Sequence, residues 1–257
     1  MAQEAAGVRA LRLLAGSDCS VVAVFTSEEP QRGAVRGASV EQLATQLGYP
    51  VWPAADVRGS AVAAELRAAG VDLLLNVYSL FVIHPAVIAA PRIGAFNLHP
   101  GPLPRFAGLN VPSWAILEGE RSFGVTLHWL TPLIDAGPIA YTASFEVLES
   151  HTGLSLSARC VESGIPLVGR LLGQAREDPG GIPRIEQDAS LRRYFGRERP
   201  FGGRLRWSLD AATLVNFVRA CDYRPFESPW GQPLARLGNE EIGVVKVERT
   251  FERCSRS

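Results

Sequence analysis

The feature that most constrains the fold is the alternation of short apolar runs with helix-like segments along the first half of the chain. Apolar, β-branched runs at 20–26, 51–53 and 73–78 are separated by segments whose apolar residues recur at helical spacing. Strands that are joined through helices pair in parallel, because the helix carries the chain back to the same end of the sheet. We therefore expect an α/β fold with a Rossmann-like, doubly wound and mostly parallel sheet.

Further elements follow from the same patterns. Helices are predicted at 1–18, 39–47, 60–69, 85–90, 112–119, 153–175 and 211–221, and strands at 124–130, 139–147, 234–237 and 242–247. Ser39 is a candidate N-cap, 176–190 reads as an exposed connector, and Gly238-Asn239 is expected to turn a hairpin. We expect a main domain over 1–185, followed over 186–257 by a short C-terminal α+β appendage.

Charge and cysteine usage exclude several classes of partner. The chain has 26 lysines and arginines and 26 aspartates and glutamates, so no global charge attracts nucleic acid, and no such partner is expected. No apolar run reaches membrane-spanning length, and no secretory signal is evident. The cysteines at 19, 160, 221 and 254 form no CxxC pair. That spacing argues against a zinc ribbon or a disulfide framework and favours a cytoplasmic location.

A polar stretch at 96–105 interrupts these apolar runs. Asn97 and His99 stand two residues apart at the end of a predicted strand, so their side chains point the same way. A loop with three prolines follows, and proline stiffens a loop by fixing φ. Ligands of open α/β sheets bind at the carboxyl ends of strands. The Asn-x-His pair alone nevertheless favours two hydrogen-bonded polar groups at a turn.

A second segment changes that balance. Asp135 follows the strand at 124–130, in a loop that ends Asp-x-Gly-Pro-Ile. A carboxylate can orient or charge an imidazole, and Asn, His and Asp together supply an amide donor, a proton carrier and an orienting acid. The sequence thus predicts a catalytic site of Asn97, His99 and Asp135. His128 either contacts this acid or is a satisfied strand residue; both interpretations stay open.

Four motifs occur in the order and at the spacing found in one known family. They are Asn97-x-His99-Pro100, Leu103-Pro104-Arg105, Gly124-Val125-Thr126-x-His128 and Asp135-x-Gly137-Pro138-Ile139. Over about 20–225 the chain resembles the formyltransferases that use 10-formyltetrahydrofolate, which include methionyl-tRNA, glycinamide ribonucleotide and amino-sugar N-formyltransferases. The segments after 191 look most like those of formyltransferases that serve nonribosomal peptide and polyketide assembly lines. This resemblance implies that 186–257 forms a linker helix and a truncated C-terminal subdomain.

The resemblance implies the formyltransferase fold for 1–185, with 10-formyltetrahydrofolate as formyl donor and no metal. It assigns oxyanion stabilisation to Asn97 and His99, and proton transfer to Asp135. Arg105 and Asn110 are expected to face the acceptor. The family lines its pterin pocket with apolar side chains and main chain, and the matching residues here are Leu80, Phe81, Val82, Ile83, Leu133 and Ile134. The first four are also consistent with core packing.

Two departures from the family pattern matter. Gly108-Leu109-Asn110-x-Pro112 replaces the Tyr-Arg-Gly type of sequence found in tRNA-directed enzymes, so initiator tRNA is not expected as acceptor. Family members usually begin with a strand ahead of the first helix, whereas this chain starts at that helix. We therefore expect a central strand position that is empty or filled in another way, and a start site further upstream would give the same pattern.

The expected function is transfer of a formyl group to the amine of a small-molecule or carrier-bound aminoacyl acceptor in secondary metabolism, that is, in natural product biosynthesis. Two alternatives stay open. One is a formyltetrahydrofolate hydrolase, in which water replaces the amine. The other is a non-catalytic folate-binding remnant, against which the intact Asn97, His99 and Asp135 argue. Oligomeric state is not determined by the sequence, so a homodimer stays open.

Overall fold

Helices and strands alternate through the first half of the chain. The computed structural model describes residues 4–26 and 39–248. The helices are α1 (Glu4–Ala15), α2 (Val40–Gln46), α3 (Val62–Ala68), α4 (Pro85–Ile88), α5 (Val111–Leu117), α6 (Gly153–Glu177) and α7 (Ala211–Ala220). The strands are β1 (Val24–Thr26), β2 (Val51–Pro53), β3 (Leu73–Val77), β4 (Gly94–His99), β5 (Ala107–Gly108), β6 (Ser122–Trp129), β7 (Ile139–Glu146), β8 (Tyr194–Phe195), β9 (Leu234–Leu237) and β10 (Glu240–Gly243).

The main sheet has four strands in the order β3-β4-β6-β7. Strand β3 pairs with β4 in parallel, whereas β6 runs antiparallel to both β4 and β7. The β6–β7 connection is short, and a short connection can join only antiparallel neighbours. A second sheet pairs β1 with β2 in parallel. These parallel-rich sheets and their helices confirm the expected α/β, Rossmann-like fold class.

Helix α1 lies where the two sheets approach each other. Within the described residues no ladder joins β1 to β3. Ala6 and Ala10 of α1 are buried in the main core, whereas Val8 and Leu11 pack in a smaller cluster with residues of β1 and α2. The helix therefore ties the β1–β2 pair to the main sheet through side chains, because no strand pairing does so in this part of the chain.

The main core is built on α6, which crosses the sheet. Thr152 and Ser155 cap its start reciprocally, and its buried face includes Leu156 and Leu171. The same apolar cluster takes in Phe217 of α7 and Trp230, which is 2% exposed. Side chains from both sides of residue 185 thus share one cluster, while the division into domains at that residue stays a prediction.

Several element boundaries differ from the predicted ones. Strand β1 begins at Val24 rather than at 20, and β10 ends before most of the predicted 242–247 strand. Leu237 pairs with Glu240, which closes a two-residue turn at Gly238-Asn239 and fixes where β10 begins. The prediction that 176–190 is an exposed connector is wrong at Ile182, which is 3% exposed within the main core. Cys254 lies outside the described residues.

Candidate active site

Strand β4 places two polar side chains in the interior. Asn97 is 7% exposed and His99 3%, and both contact Asp135, which is 8% exposed. The period of two along a strand sends both β4 side chains to the same face. The structure thus brings together the three residues that the sequence predicts as catalytic, although their chemical roles stay predictions.

The Asp135 carboxylate contacts both polar side chains of β4 and a backbone N–H group. Its Oδ2 accepts a hydrogen bond of 2.8 Å from the backbone N–H of Gly108, and its Oδ1 accepts one of 3.3 Å from Asn97 Nδ2. His99 Nδ1 lies 3.6 Å from Oδ2. The backbone of Asp135 is left-handed, with a φ of 51°, which a non-glycine residue adopts only where its surroundings hold it.

His128 lies opposite Asn97 in the β4–β6 ladder. Its Nδ1 is 2.8 Å from the carbonyl oxygen of Trp129, so Nδ1 carries the proton and donates. Its Nε2 then accepts from Asn97 Nδ2 at 3.0 Å and stands 3.5 Å from Asp135 Oδ1. His128 therefore both contacts the acid and is a satisfied strand residue. Asn97, His99, His128 and Asp135 are called the polar cluster below.

Asn76 is a contributor that sequence reasoning missed. It lies beside Asn97 in the β3–β4 ladder, and its Nδ2 donates to Asn97 Oδ1 at 3.0 Å. Because the Asn97 oxygen is held on that side, its NH₂ group must face His128 and Asp135. The sequence does show a single asparagine inside an otherwise apolar strand, but not its partner. The structure shows that Asn76 is buried, with 6% of its surface exposed, and therefore needs a hydrogen-bond partner.

The protonation state of His99 follows from its two neighbours. Its Nε2 is 2.6 Å from the carbonyl oxygen of Phe106, so Nε2 donates and Nδ1 faces the Asp135 carboxylate. Burial lowers the pKa of His99 below its ordinary value, and the charge of Asp135 offsets this only in part. The neutral imidazole can therefore take up a proton at Nδ1, where the carboxylate stabilises it.

The pKa of Asp135 lies well below its usual range. Burial would raise this pKa, but the electrostatic interactions of the carboxylate with His99 and His128 and the hydrogen bond from the Gly108 N–H together outweigh that effect. The acid is therefore ionised at neutral pH. Together the cluster offers an amide donor, a proton acceptor and a fixed negative charge, which suits addition of a nucleophile to a carbonyl.

The predicted pterin-contacting side chains lie in two loops. Four of them are strongly exposed apolar groups: Leu80 is 61% exposed, Val82 58%, Leu133 64% and Ile134 42%. Ile83 is instead buried in the second core cluster, and Phe81 packs against that cluster with the Arg58 guanidinium 4.6 Å above its ring. Leu133 and Ile134 directly precede Asp135, so exposed apolar groups adjoin the polar cluster, an arrangement that suits an apolar ligand.

The two predicted acceptor-facing residues lie in the loop between β4 and α5. Arg105 is exposed, forms an ion pair with Glu120, and lies 5.2 Å from the centre of the Phe106 ring. Asn110 has a left-handed φ of 54° and immediately precedes α5. Their contact with an acceptor stays a prediction.

In the described part of the chain, no group of three or more His, Cys, Asp or Glu side chains is placed to hold a metal ion. Over the same residues, no helix combines the length and the apolarity that crossing a bilayer requires.

Comparison with known proteins gives a family and a set of similar folds. The family model described as Formyl transferase matches residues 6–168. An N-formyltransferase from Helicobacter canadensis, in complex with folinic acid and dTDP-3-aminofucose, superposes with a TM-score of 0.69 at 17% identity, over 85% of this chain and 78% of that one. A 4-N formyltransferase from Francisella tularensis superposes with a TM-score of 0.66 at 15% identity, over 82% and 84%.

A third similar structure belongs to a larger protein. HypX from Aquifex aeolicus, in complex with tetrahydrofolic acid, superposes with a TM-score of 0.59 at 23% identity. The match covers 78% of this chain and 33% of HypX. Identities this low establish the shared fold, and the family match extends over most of the main sheet and the polar cluster.

Proposed function

Because the chain belongs to the formyl transferase family, we propose that it transfers the formyl group of 10-formyltetrahydrofolate to the amine of a small molecule. The enzyme class, a formyltransferase, follows from the family. The roles of individual residues and the nature of the acceptor are the substance of the proposal.

The observation that carries the proposal is the buried arrangement of Asn97, His99 and Asp135. In the reaction the acceptor nitrogen bonds to the formyl carbon, which builds a tetrahedral oxyanion. The bond from that carbon to N10 of the folate then breaks, and the proton lost by the amine ends on N10. An Asn97 N–H can donate to the oxyanion. Because Nε2 of His99 donates to the Phe106 carbonyl and Nδ1 carries no proton, we assign His99 the uptake of the amine proton beside the Asp135 carboxylate, in place of the oxyanion contact expected from the sequence.

The two apolar loops support the choice of donor. Four large apolar side chains in these loops are exposed to solvent, which is energetically unfavourable unless a ligand covers them. They are Leu80, Val82, Leu133 and Ile134. A flat pterin ring covers such side chains, and the gain from burying apolar area would contribute to affinity. The similar structures from H. canadensis and A. aeolicus hold bound folates. We therefore propose that these loops hold the folate.

The acceptor is proposed as a small-molecule amine, with an aminoacyl group on a carrier protein as a second form of the same chemistry. The balanced charge of the chain gives no general attraction to a polyanion such as tRNA. The H. canadensis enzyme holds an amino sugar linked to a nucleotide. Both acceptor forms present a primary amine to the same formyl carbon, so the polar cluster suits either.

An isotope experiment tests the acceptor directly. The protein would be incubated with 10-formyltetrahydrofolate carrying a ¹³C formyl group and with three acceptors separately: a dTDP-amino sugar, a free amino acid and an aminoacyl carrier protein. Mass spectrometry would then look for the labelled formyl group on each. Label on the amino sugar or the free amino acid supports the proposal. Label on the carrier-bound aminoacyl group alone would identify a carrier-bound acceptor. Labelled formate alone would identify a hydrolase.

A further inference from the structure

We propose that residues 185–195, called the clamp segment below, are part of the catalytic centre, and that Gln187 is a positioning residue for Asp135. This inference rests on the proposed function, because it assigns a role within the same site. The family match ends at residue 168, so the clamp segment lies beyond it.

The clamp segment holds the main chain around Asp135 from outside. Gln187 Nε2 donates to the carbonyl oxygens of Asp135 at 3.1 Å and of Gly137 at 2.7 Å. Arg192 donates to the same Asp135 carbonyl at 3.2 Å and to that of Ile134 at 2.8 Å. The Gln187 amide and the Arg192 guanidinium thus make four hydrogen bonds to three carbonyl groups in one loop. These are the carbonyl groups of Ile134, Asp135 and Gly137.

These bonds matter because of the backbone conformation they hold. Asp135 has a positive φ of 51°, a conformation that costs a non-glycine residue on the order of 1–3 kcal/mol. Rotation of the carbonyl that Gln187 and Arg192 hold would turn the Cα–Cβ bond and swing the carboxylate away from His99. Gln187 therefore acts on the chemistry through Asp135, without touching the reacting atoms itself.

The same segment also holds the opposite loop. Strand β8 pairs with β5, the backbone N–H of Leu109 donates to the Phe195 carbonyl at 2.8 Å, and that of Ala107 donates to the Arg193 carbonyl at 3.0 Å. Gly108, between these two positions, gives its own N–H to Asp135. One stretch of chain therefore sets the distance between the loop that carries Asp135 and the loop that supplies its hydrogen bond.

Gln187 gives a cleaner test than Arg192. The charged and titratable groups that act on His99 are Asp135, His128 and Arg192. Removal of Arg192 would change the electrostatic potential at His99 directly, as well as through the loop. Gln187 carries no charge, so a change in the His99 pKa in a Gln187 variant must arrive through displacement of its neighbours, above all Asp135.

The experiment compares Gln187→Leu, which removes both donors at similar length, with Gln187→Asn, which keeps the amide but is one methylene shorter. Gln46→Leu, the same substitution at an exposed glutamine of α2 outside the clamp segment, is the matched control. Steady-state kinetics would give kcat and KM, and an NMR titration of the imidazole would give the His99 pKa. Thermal unfolding of each variant would show that it is folded.

In Gln187→Leu we expect kcat to fall by about 10- to 100-fold, as for other small misplacements of a reacting group, and the His99 pKa to fall as Asp135 moves away. Gln187→Asn should lie between wild type and Gln187→Leu, and Gln46→Leu should match wild type. If Gln187→Leu unfolds, Gln187→Asn decides by the same two readouts.

A folded Gln187 variant with wild-type kcat and wild-type His99 pKa would overturn the inference. The same applies if Gln46→Leu lowers both quantities equally. If the wild type itself transfers no formyl group to any amine, the proposed function fails, and the NMR titration alone then decides whether Gln187 positions Asp135 against His99.

Discussion

Both the oxygen and the NH₂ group of the Asn97 amide form hydrogen bonds within the site. Asn76 donates to its oxygen, and its two N–H groups point to His128 and Asp135. An oxyanion must therefore take over one of these hydrogen bonds when it forms. The contact to Asp135, at 3.3 Å, is the longer of the two and the one that a stronger acceptor would replace most readily.

The ionisable pair of the cluster links stability to pH. The folded-state pKa values of His99 and Asp135 both lie below their ordinary values of 6.5 and 3.8. Folding therefore favours the neutral imidazole and the ionised carboxylate. The stability this contributes is complete above the ordinary pKa of each group and is lost as the pH falls, first for His99 and then, below about pH 4, for Asp135.

We predict that the free energy of unfolding falls between about pH 7 and about pH 5, and that His99→Gln removes part of this decrease, because glutamine does not titrate. Urea denaturation of both proteins at the two pH values measures it. A His99→Gln protein that loses as much stability as wild type over this range would contradict the assignment of the burial effect to His99.

At the residue scale, Asn97, His99 and Asp135 could be predicted from sequence because polar groups that follow apolar strands are locally conspicuous. Asn76 and Gln187 could not be placed in this way. Asn76 acts through a strand partner 21 residues away, and Gln187 through carbonyl groups 50 and 52 residues away. Single-sequence patterns carry no information about such distant contacts.

The elements around the site depend on close backbone contact between β5 and β8. Gly108 in β5 has a φ of 99°, and a Cβ at this position would overlap the Phe195 carbonyl. Gly48, in the turn after α2, has a similar φ of 74° but open space around it. Substitution of Gly48 therefore measures the energetic cost of a positive φ alone, whereas substitution of Gly108 adds the cost of displacing β8.

We predict that Gly48→Ala costs about 1 kcal/mol of stability, from backbone strain alone, and leaves kcat unchanged. Gly108→Ala should cost more stability and should also lower kcat, since β8 and the N–H that holds Asp135 must both shift. Urea unfolding and steady-state kinetics on the two variants test this. Equal effects of the two substitutions on kcat would contradict a role for β5–β8 pairing in the site.

Most helices and the longer strands were predictable to within a few residues because their apolar spacing is a local property, whereas the two-residue strands β5 and β8 were not predicted. The clamp segment was the main failure at this scale. Proline and glycine at 179–183 correctly predicted a break after α6. The same composition could not show that Ile182 enters the core or that Gln187 reaches the Asp135 loop, because turn residues report local conformation and not tertiary contact.

At the scale of the whole molecule, the catalytic sheet and the C-terminal segments share one apolar cluster. It joins Leu156 and Leu171 of α6 to Phe217 of α7 and to Trp230, while Ser113 of α5 donates to the Ala220 carbonyl at 2.9 Å. Burial of this kind couples segments that are distant in sequence. The 1–185 and 186–257 division therefore has a direct thermodynamic test.

We predict one cooperative thermal transition for the whole chain, because removal of Phe217 and Trp230 would leave apolar surface of the main core exposed. Calorimetry measures this as agreement between the calorimetric and van't Hoff enthalpies. A chain that ends at Glu177 should fail to give the wild-type transition. Two resolved transitions in the full chain, with the first part stable alone, would support separate domains and contradict this account.

The measurement that tests the central claim most directly is release of tetrahydrofolate from 10-formyltetrahydrofolate, with and without an acceptor amine, by wild type and by Asn97→Ala. The account predicts amine-dependent release by wild type and a loss of about 100- to 1,000-fold in Asn97→Ala, as expected for one oxyanion donor. Release that needs no amine, or that Asn97→Ala leaves intact, would contradict it.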